Sequence, residues 1–119
     1  MNDNQKKFLI ESGVDLDTAM NYTGDLEMYH EILIDFYDGL DEQFATIKQN
    51  INDLPNYAIL VHALKSNART LAIKDLADVA YNHEMASKAG DSNFVINDIA
   101  NLEAAVNNVK SFIEIYKAK

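Results

Sequence analysis

The chain has 119 residues and a formal net charge of −9, with no cysteine, no tryptophan and one proline. This length suits one domain with a single core, and the lack of cysteine excludes a disulfide scaffold and thiol chemistry. The acidic balance predicts repulsion of nucleic acid and of anionic membrane surfaces. No apolar run approaches the roughly 20 residues that span a bilayer, and the polar start is unlike a signal peptide, so we expect a cytoplasmic protein.

The first part of the chain, residues 1–22, is predicted to form an N-terminal arm with one short helix. The sequence Asp15-Leu16-Asp17-Thr18 is typical of a helix start, because an aspartate side chain can accept a hydrogen bond from an unpaired amide of the first turn. The residues before it are mostly polar. We therefore expect a single short helix ahead of the main body.

Four longer helices are predicted after this arm. Asp25 can cap the first of them, and Pro55 fits the first turn of the second. Gly90 can end the third, and Asp91 can begin the fourth. Apolar residues recur every three or four positions along all four segments, which is the spacing of one helix face. In chain order these stripes run from Tyr29 to Ile51, Leu60 to Leu71, Leu76 to Ala86 and Val95 to Tyr116.

The pattern as a whole predicts an all-α fold. No stretch alternates apolar and polar residues with period two over a useful length, so no sheet is expected. Amphipathic helices with short connections pack side by side in alternating directions. We therefore predict an antiparallel up-down four-helix bundle over residues 23–119, preceded by the short extra N-terminal helix. The whole chain, 1–119, is predicted to be a single domain.

One segment of this acidic chain is locally positive. Residues 1–53 hold 12 acids and three lysines, whereas residues 54–119 hold seven of each sign. Between Pro55 and Lys74 there is no carboxylate at all, and His62 lies within this stretch. Such a segment could bind an anion, or its lack of acids could be due to chance. Charge alone does not distinguish these two interpretations.

The second long helix is predicted to expose His62. At 100° per residue, Leu60, Leu64 and Leu71 fall within about 20° of the side opposite His62. Because those leucines belong to the apolar stripe, they should be buried beneath the helix. His62 should therefore lie on the solvent face.

Other polar side chains are predicted to share this face. Arg69 lies about 20° from His62 on the helical wheel, Ser66 about 40° and Lys65 about 60°. The face thus carries an imidazole, two cations and a hydroxyl. It is either an ordinary solvated face or a place where an anion is held, and the lack of acids on this helix favours the second interpretation.

Glu84 is predicted to lie beside His62 on the next helix. If the turn between the helices lies near Ile73, both residues are 11 positions from it, so antiparallel packing puts them at about the same height. Glu84 lies about 80° from the core direction set by Leu76, at the margin of the stripe. Its carboxylate could then accept a hydrogen bond from one ring nitrogen of His62 and leave the other as a nucleophile. The alternative is an exposed glutamate that makes no special contact.

These residues resemble the histidine phosphotransfer (HPt) domain of bacterial multistep phosphorelays. The resemblance rests on the run His62-Ala63-Leu64-Lys65-Ser66, followed by Leu71, Leu76, Glu84 and the Gly90-Asp91 step. It extends over essentially the whole chain, including the run from Gly13-Val14-Asp15 through Tyr29. The core motif His-x-Leu-Lys is short, and the register of the four predicted helices around it makes the resemblance specific.

This resemblance implies a phosphocarrier. His62 would accept a phosphoryl group from the aspartate of one receiver domain and pass it to the aspartate of another. Lys65 would assist with the phosphate charge, and Glu84 would orient the imidazole. Ser66 and Arg69 would face the phosphate or the partner. The implied partners are receiver domains of response regulators or hybrid sensor kinases. The chain would bind them as a monomer, and neither nucleic acid nor a membrane would be a partner.

No catalytic apparatus of a kinase is visible in the sequence. There is no Gly-rich phosphate loop, no Walker lysine and no acid cluster near His62 of the kind that binds Mg²⁺. We therefore expect no kinase or ATPase activity and no cofactor, with Mg²⁺ supplied by the receiver partner. Glu27-x-x-His30 has the spacing of half a di-iron site, but a second such pair is missing, so no metal site is expected.

Three positions depart from the family pattern. Ser66 stands where glycine or serine is usual, which is a mild change, and Ala72 replaces a glycine expected at the turn. His83 stands where an apolar residue is expected. We predict that His83 is buried, neutral and bonded to a tyrosine hydroxyl or a backbone carbonyl. If Ala72 or His83 distorts the site, the alternative function is a helical interaction module that docks receivers without carrying phosphate.

Overall fold

The computed structural model describes the whole chain, Met1 to Lys119, and contains helices but no strands. The predicted all-α class is therefore confirmed. None of the helices is both long and apolar enough to cross a lipid bilayer. In chain order the six helices are α1 (Asp3–Glu11), α2 (Leu16–Thr23), α3 (Leu26–Gln49), α4 (Leu54–Thr70), α5 (Lys74–Lys88) and α6 (Ser92–Lys117).

The N-terminal arm contains two helices, so the prediction of a single short helix there is wrong. The predicted one is α2, where the Asp15 side chain accepts from the amide of Thr18. The other, α1, begins at a capping box: the Asn2 side chain accepts from the Gln5 amide, and the Gln5 side chain accepts from the Asn2 amide. This spacing of asparagine and glutamine ahead of an apolar run was a readable signal in the sequence.

Aspartate side chains also begin three of the long helices. Asp25, Asp53 and Asp91 precede α3, α4 and α6, and each accepts a hydrogen bond from a first-turn amide. The starts predicted at Asp25 and Asp91 are confirmed. The predicted end of α5 is confirmed as well, because Gly90 follows its last residues with a φ of 74°.

The turn between α4 and α5 is built on Ala72 in a left-handed conformation. Its φ is 55°, and no other residue except glycine has a positive φ. The Ala72 amide donates to the carbonyl of Arg69, and the Ile73 amide donates to the carbonyl of Ala68. These two bonds form a Schellman motif, in which glycine is the usual residue at the left-handed position. Ala72 therefore keeps the turn tight and bears the conformational strain of its Cβ.

The site described below lies on α4 and α5, which share the most extensive contact between any two helices. α5 also packs against α6, and α3 packs against both α4 and α6. The buried Tyr29 hydroxyl of α3 donates to the carbonyl of Leu71, which fixes the end of α4 relative to α3. The two helices that carry the site are thus anchored on both sides.

The buried face of α4 is rotated from the predicted one. Leu64 is fully buried as expected, but Leu60 is only half-buried and Val61 is fully buried in its place. On the helical wheel, the centre of the buried arc lies about 110° from His62 instead of opposite to it. His62 therefore lies at the edge of the solvent face, and Lys65 turns towards the core.

Candidate functional site

His62 is exposed and held at one ring nitrogen. Its side chain is 55% accessible, which confirms the predicted exposure. Nδ1 lies 2.7 Å from Oε2 of Glu84 on α5, as the matching heights of the two residues predicted. A carboxylate can only accept, so Nδ1 carries the hydrogen and donates it. In the neutral ring, Nε2 then has a free lone pair.

The Glu84 carboxylate is the centre of the site. It is 2% accessible, so the alternative of an exposed glutamate without a special contact is wrong. Oε1 lies 2.5 Å from Nζ of Lys65, while Oε2 accepts from His62 and lies 2.9 Å from Nζ of Lys88. Burial alone would raise the pKa of Glu84, but the hydrogen bonds from Lys65, Lys88 and His62 outweigh it and lower the pKa to about 2. The carboxylate is therefore an anion at neutral pH.

Lys65 differs from its predicted position. Instead of sharing the solvent face with His62, it is 8% accessible, and its ammonium group is directed at Glu84. The rotation of the buried face of α4 causes this difference, because Lys65 follows the buried Val61 by four residues and so lies on the same face. The contact of Lys65 is with the carboxylate that holds His62.

Lys88 is a site residue that sequence reasoning missed. It lies one turn after Glu84 on α5, and its side chain is 58% accessible. Its Nζ and the Nδ1 of His62 meet on the same oxygen of Glu84. The available signal was the i, i+4 spacing of a glutamate and a lysine, which brings the two side chains together on a helix surface.

The two remaining predicted residues, Arg69 and Ser66, lie on α4 beyond the bonds to Glu84. Arg69 is exposed, and its guanidinium carbon lies 5.7 Å from the centre of the Tyr81 ring. Nζ of Lys65 lies 5.8 Å from the same ring, so Tyr81 of α5 borders both cations. Ser66 is half-buried, and its carbonyl accepts from the Thr70 hydroxyl. Neither Arg69 nor Ser66 has a hydrogen bond to His62 or Glu84.

His83 is fully buried and has two hydrogen-bond partners. Its Nδ1 lies 2.8 Å from the Tyr57 hydroxyl of α4, and its Nε2 lies 3.0 Å from Oδ2 of Asp98 on α6. The predicted burial and tyrosine partner are confirmed, whereas the carboxylate was not expected. Burial raises the pKa of Tyr57 far above its usual value, so its hydroxyl keeps the proton. A neutral His83 fits both partners, with Nε2–H donating to Asp98 and Nδ1 accepting from Tyr57.

Glu27 and His30, the other pair considered from the sequence, bond to different partners. Glu27 accepts from the N-terminal ammonium group, and Nδ1 of His30 lies 2.6 Å from the Tyr116 hydroxyl. No group of three or more histidine, aspartate or glutamate side chains in the structure is arranged to hold a metal ion. Glu27 and His30 therefore contribute to the contacts of α3 and not to a shared site.

A cavity of about 510 Å³ lies away from His62. It is bordered by the loop after α1, the α4–α5 turn and α6, and none of the residues around His62 lines it. His62 instead lies on the open surface of α4, where a group carried by another macromolecule can approach its Nε2.

Chemically, this arrangement exposes the imidazole ring while its Nδ1 donates to a buried anion. In the neutral form of the ring, the unprotonated Nε2 is a nucleophile. The anion also stabilises the positive charge that the ring acquires when Nε2 forms a bond. Comparison of the chain with protein-family models, with curated proteins and with solved structures gives no significant match.

Proposed function

We propose that this chain is a histidine phosphotransfer domain that carries a phosphoryl group on Nε2 of His62. The observation that carries the proposal is the hydrogen bond from Nδ1 of His62 to the buried carboxylate of Glu84. It fixes the ring orientation and the tautomer, so that Nε2 faces solvent with its lone pair free. The resemblance of the run from His62 to Ser66 to the HPt motif points to the same chemistry.

The arrangement of helices that we propose with this function is an antiparallel up-down four-helix bundle of α3, α4, α5 and α6, with α1 and α2 packed outside it. In support, α3 contacts α4, α4 contacts α5, α5 contacts α6, and α6 contacts α3. These four contacts form a closed ring of neighbours around one core. We propose that residues 1–119 form one domain on this basis.

The proposed reaction is a transfer between an aspartyl phosphate and an imidazole. The lone pair of Nε2 attacks phosphorus, the N–P bond forms, and the P–O bond to the receiver aspartate breaks, so that its carboxylate leaves with the electron pair. No proton has to move, because Nδ1 keeps its hydrogen throughout. The ring becomes an imidazolium whose positive charge faces Glu84. Attack by the carboxylate of a second receiver on the phosphoryl group reverses these changes.

In this mechanism one cation near His62 faces the phosphoryl group and another keeps Glu84 ionised. A phosphoryl group brings between one and two negative charges, which a nearby ammonium group can offset. Lys88 is exposed and adjacent to the bond between His62 and Glu84, so it is the cation best placed to face the phosphoryl group. Lys65 is buried against Glu84 and keeps that carboxylate ionised. Arg69 lies further out and is assigned to the partner surface, together with Ser66.

The proposal requires receiver domains as partners, because the phosphoryl donor and acceptor are their aspartates. Mg²⁺ is assigned to the receiver, as is the aspartate that receives the group. We propose that this chain acts as a monomeric carrier in the cytoplasm and has no kinase or ATPase activity of its own.

The alternative, a helical module that docks receivers without carrying phosphate, depended on distortion of the site by Ala72 or His83. Ala72 adopts the left-handed conformation that glycine would take, so the α4–α5 turn keeps its form. His83 contacts Tyr57 and Asp98 and does not displace Glu84 from His62. Both observations favour the carrier.

A labelling experiment tests the proposal directly. The purified chain is incubated with a receiver domain phosphorylated on its aspartate with a radioactive phosphoryl group. We expect label on the chain that is lost in acid and retained in base, as is typical of a phosphoramidate. Label that resists acid, or no label with several active receivers, would contradict the proposal, and docking without labelling would support the alternative.

A further inference from the structure

His83 and Glu84 are consecutive residues that together tie α5 to both of its neighbours. All side-chain hydrogen bonds between α5 and α4 involve one of them: Tyr57 with His83, His62 with Glu84, and Lys65 with Glu84. The side-chain hydrogen bond from α5 to α6 is also made by His83, to Asp98. The other contacts between these helices are apolar packing and the cations of Lys65 and Arg69 near the Tyr81 ring, and they limit rotation less sharply than directed hydrogen bonds do.

The position of the Glu84 carboxylate depends on how α5 is rotated about its axis. Neighbouring residues on a helix diverge by 100°, so His83 enters the wedge between α4 and α6 while Glu84 faces His62. A rotation of about 10° moves a group at the side-chain radius, roughly 5 Å from the axis, by about 1 Å. A displacement of that size is enough to break a hydrogen bond of 2.7 Å.

The contacts of His83 are suited to preventing such a rotation. Its ring is fully buried, bonded at both nitrogens to different helices, and met by the edge of Phe94 at a centroid distance of 5.4 Å. The Ser87 hydroxyl, which is also buried, lies within hydrogen-bond distance of the carbonyls of His83 and Glu84. An imidazole that is hydrogen-bonded at both nitrogens has only one orientation. Because Glu84 is the next residue on the same helix, its direction is fixed together with that of His83.

We infer that His83 is a positioning residue for the phosphotransfer site: its bonds to Tyr57 and Asp98 set the rotation of α5 that brings Glu84 onto Nδ1 of His62. The inference rests on the proposed function, because it assigns the role of His83 through His62. It also gives a reason for a polar residue in the middle of an otherwise apolar stripe. The consequence is that removing the partners of His83 alters the tautomer of His62, which His83 does not contact.

The test measures the ring nitrogens of His62 by proton–nitrogen NMR of the full chain, at an alkaline pH where histidines are neutral. The variants are His83→Leu, which removes both bonds, and the double variant Tyr57→Phe with Asp98→Ala, which keeps the imidazole and removes its partners. Val106→Ala is the matched control, because it truncates a buried side chain on α6 two turns beyond Asp98. Transfer from a phosphorylated receiver is measured on the same proteins.

We expect wild type and Val106→Ala to show His62 with hydrogen on Nδ1 and a bare Nε2. Both sets of His83 changes should shift His62 towards the other tautomer and slow transfer by roughly tenfold, which is the lower end of what outer partners of a functional histidine contribute. Unchanged His62 signals in the folded variants would overturn the inference. An equal shift in Val106→Ala would overturn it too, since general loosening would then be the cause.

If His83→Leu fails to fold, the double variant decides alone, because it retains the imidazole that fills the core. The result also separates the two proposals. A wild-type chain whose His62 tautomer depends on His83 but which takes no label would leave the positioning role standing and overturn the phosphocarrier function. A chain that is labelled, but whose His62 tautomer does not change in the His83 variants, would support the phosphocarrier function and overturn the positioning role.

Discussion

Nδ1 of His62 and Oε2 of Glu84 lie 2.7 Å apart, and they join a half-exposed ring on α4 to a fully buried carboxylate on α5. An ion pair between two exposed side chains contributes little and orders little. Here one partner is fixed by the core, because two lysines and the packing of α5 hold the carboxylate. A surface side chain thereby acquires one defined orientation, which a nucleophile needs.

Replacing His62 by glutamine should abolish phosphoryl acceptance and leave the fold intact. The side chain is exposed and contributes little packing, so the loss of its hydrogen bond to Glu84 should lower the free energy of unfolding by only about 1 kcal/mol. Acid-labile label and urea unfolding measure the two effects. His30→Gln is the matched control: it replaces another histidine, on α3, that bonds to Tyr116, and it should retain full labelling. Label that persists on His62→Gln would place the acceptor elsewhere.

Protonation of Glu84 should destabilise the fold as the pH falls from about 4.5 to about 2. The pKa of Glu84 is lowered from 4.5 to about 2, because hydrogen bonds from Lys65, Lys88 and His62 outweigh the opposing effect of burial. The folded-state pKa lies below the unfolded one, so the stability that ionised Glu84 contributes is complete above about pH 4.5. It is lost as the pH falls through the folded-state pKa, since the unfolded chain binds the proton first.

Urea unfolding of wild type and Glu84→Gln at several pH values checks this linkage. Near neutral pH the variant should be less stable by about 3 kcal/mol, because it leaves the buried Lys65 without its anion. The difference should shrink below pH 4.5. The exposed Glu103, which pairs with Lys48, provides the control, and Glu103→Gln should cost less than about 1 kcal/mol. A difference for Glu84→Gln that is constant over this pH range would contradict the prediction.

Substitution by alanine should affect stability and transfer rate differently at Lys65 and at Lys88. Lys65→Ala leaves buried Glu84 without one of its cations, so it should lower the free energy of unfolding by about 1–3 kcal/mol as well as slow transfer. Lys88→Ala removes an exposed cation and should change stability by less than about 1 kcal/mol. Its effect on the transfer rate should be several-fold or more, up to the roughly hundredfold cost of losing one charge-stabilising donor in a preorganised site.

Urea midpoints and single-turnover transfer rates separate these two roles. Lys48→Ala is the control, because Lys48 is an exposed lysine of α3 paired with a glutamate, as Lys88 is on α5. It should leave transfer unchanged. Equal transfer rates for Lys88→Ala and wild type would remove Lys88 from the mechanism, and an unchanged stability of Lys65→Ala would contradict its structural role.

Ala72→Gly should stabilise the protein. The residue has a φ of 55°, where an L side chain is strained and glycine is not. Part of the gain is offset by the greater freedom of glycine in the unfolded chain, so the net effect should be about 0.5–1 kcal/mol. Thermal and urea unfolding measure it. Ala80→Gly in the interior of α5 is the matched control and should destabilise. A loss of stability in Ala72→Gly would show that the alanine methyl contributes more to packing than it costs in strain.

The sequence by itself determined the helices and the general place of the site. Caps such as Asp25 and Asp91 act on amides three residues away, and apolar periodicity is a property of one helix, so both are local and readable. The exposure of His62 followed from the helical wheel of one helix, and its match in height with Glu84 followed from counting residues from one turn. The missed helix α1 had a local signal too, in the pair Asn2 and Gln5.

Only the tertiary structure decided which side chains of different helices contact one another in the site. The rotation of α4 about its axis depends on the surfaces of α2, α3 and α5, which pack against it. A shift of the buried arc by some tens of degrees turned Lys65 from solvent to core. The bonds of His83 to Tyr57 and Asp98 depend on that packing as well, whereas the contact of Lys88 with Glu84 lies within one helix. A helical wheel fixes angles within one helix, whereas the direction of the core is a property of all the helices together.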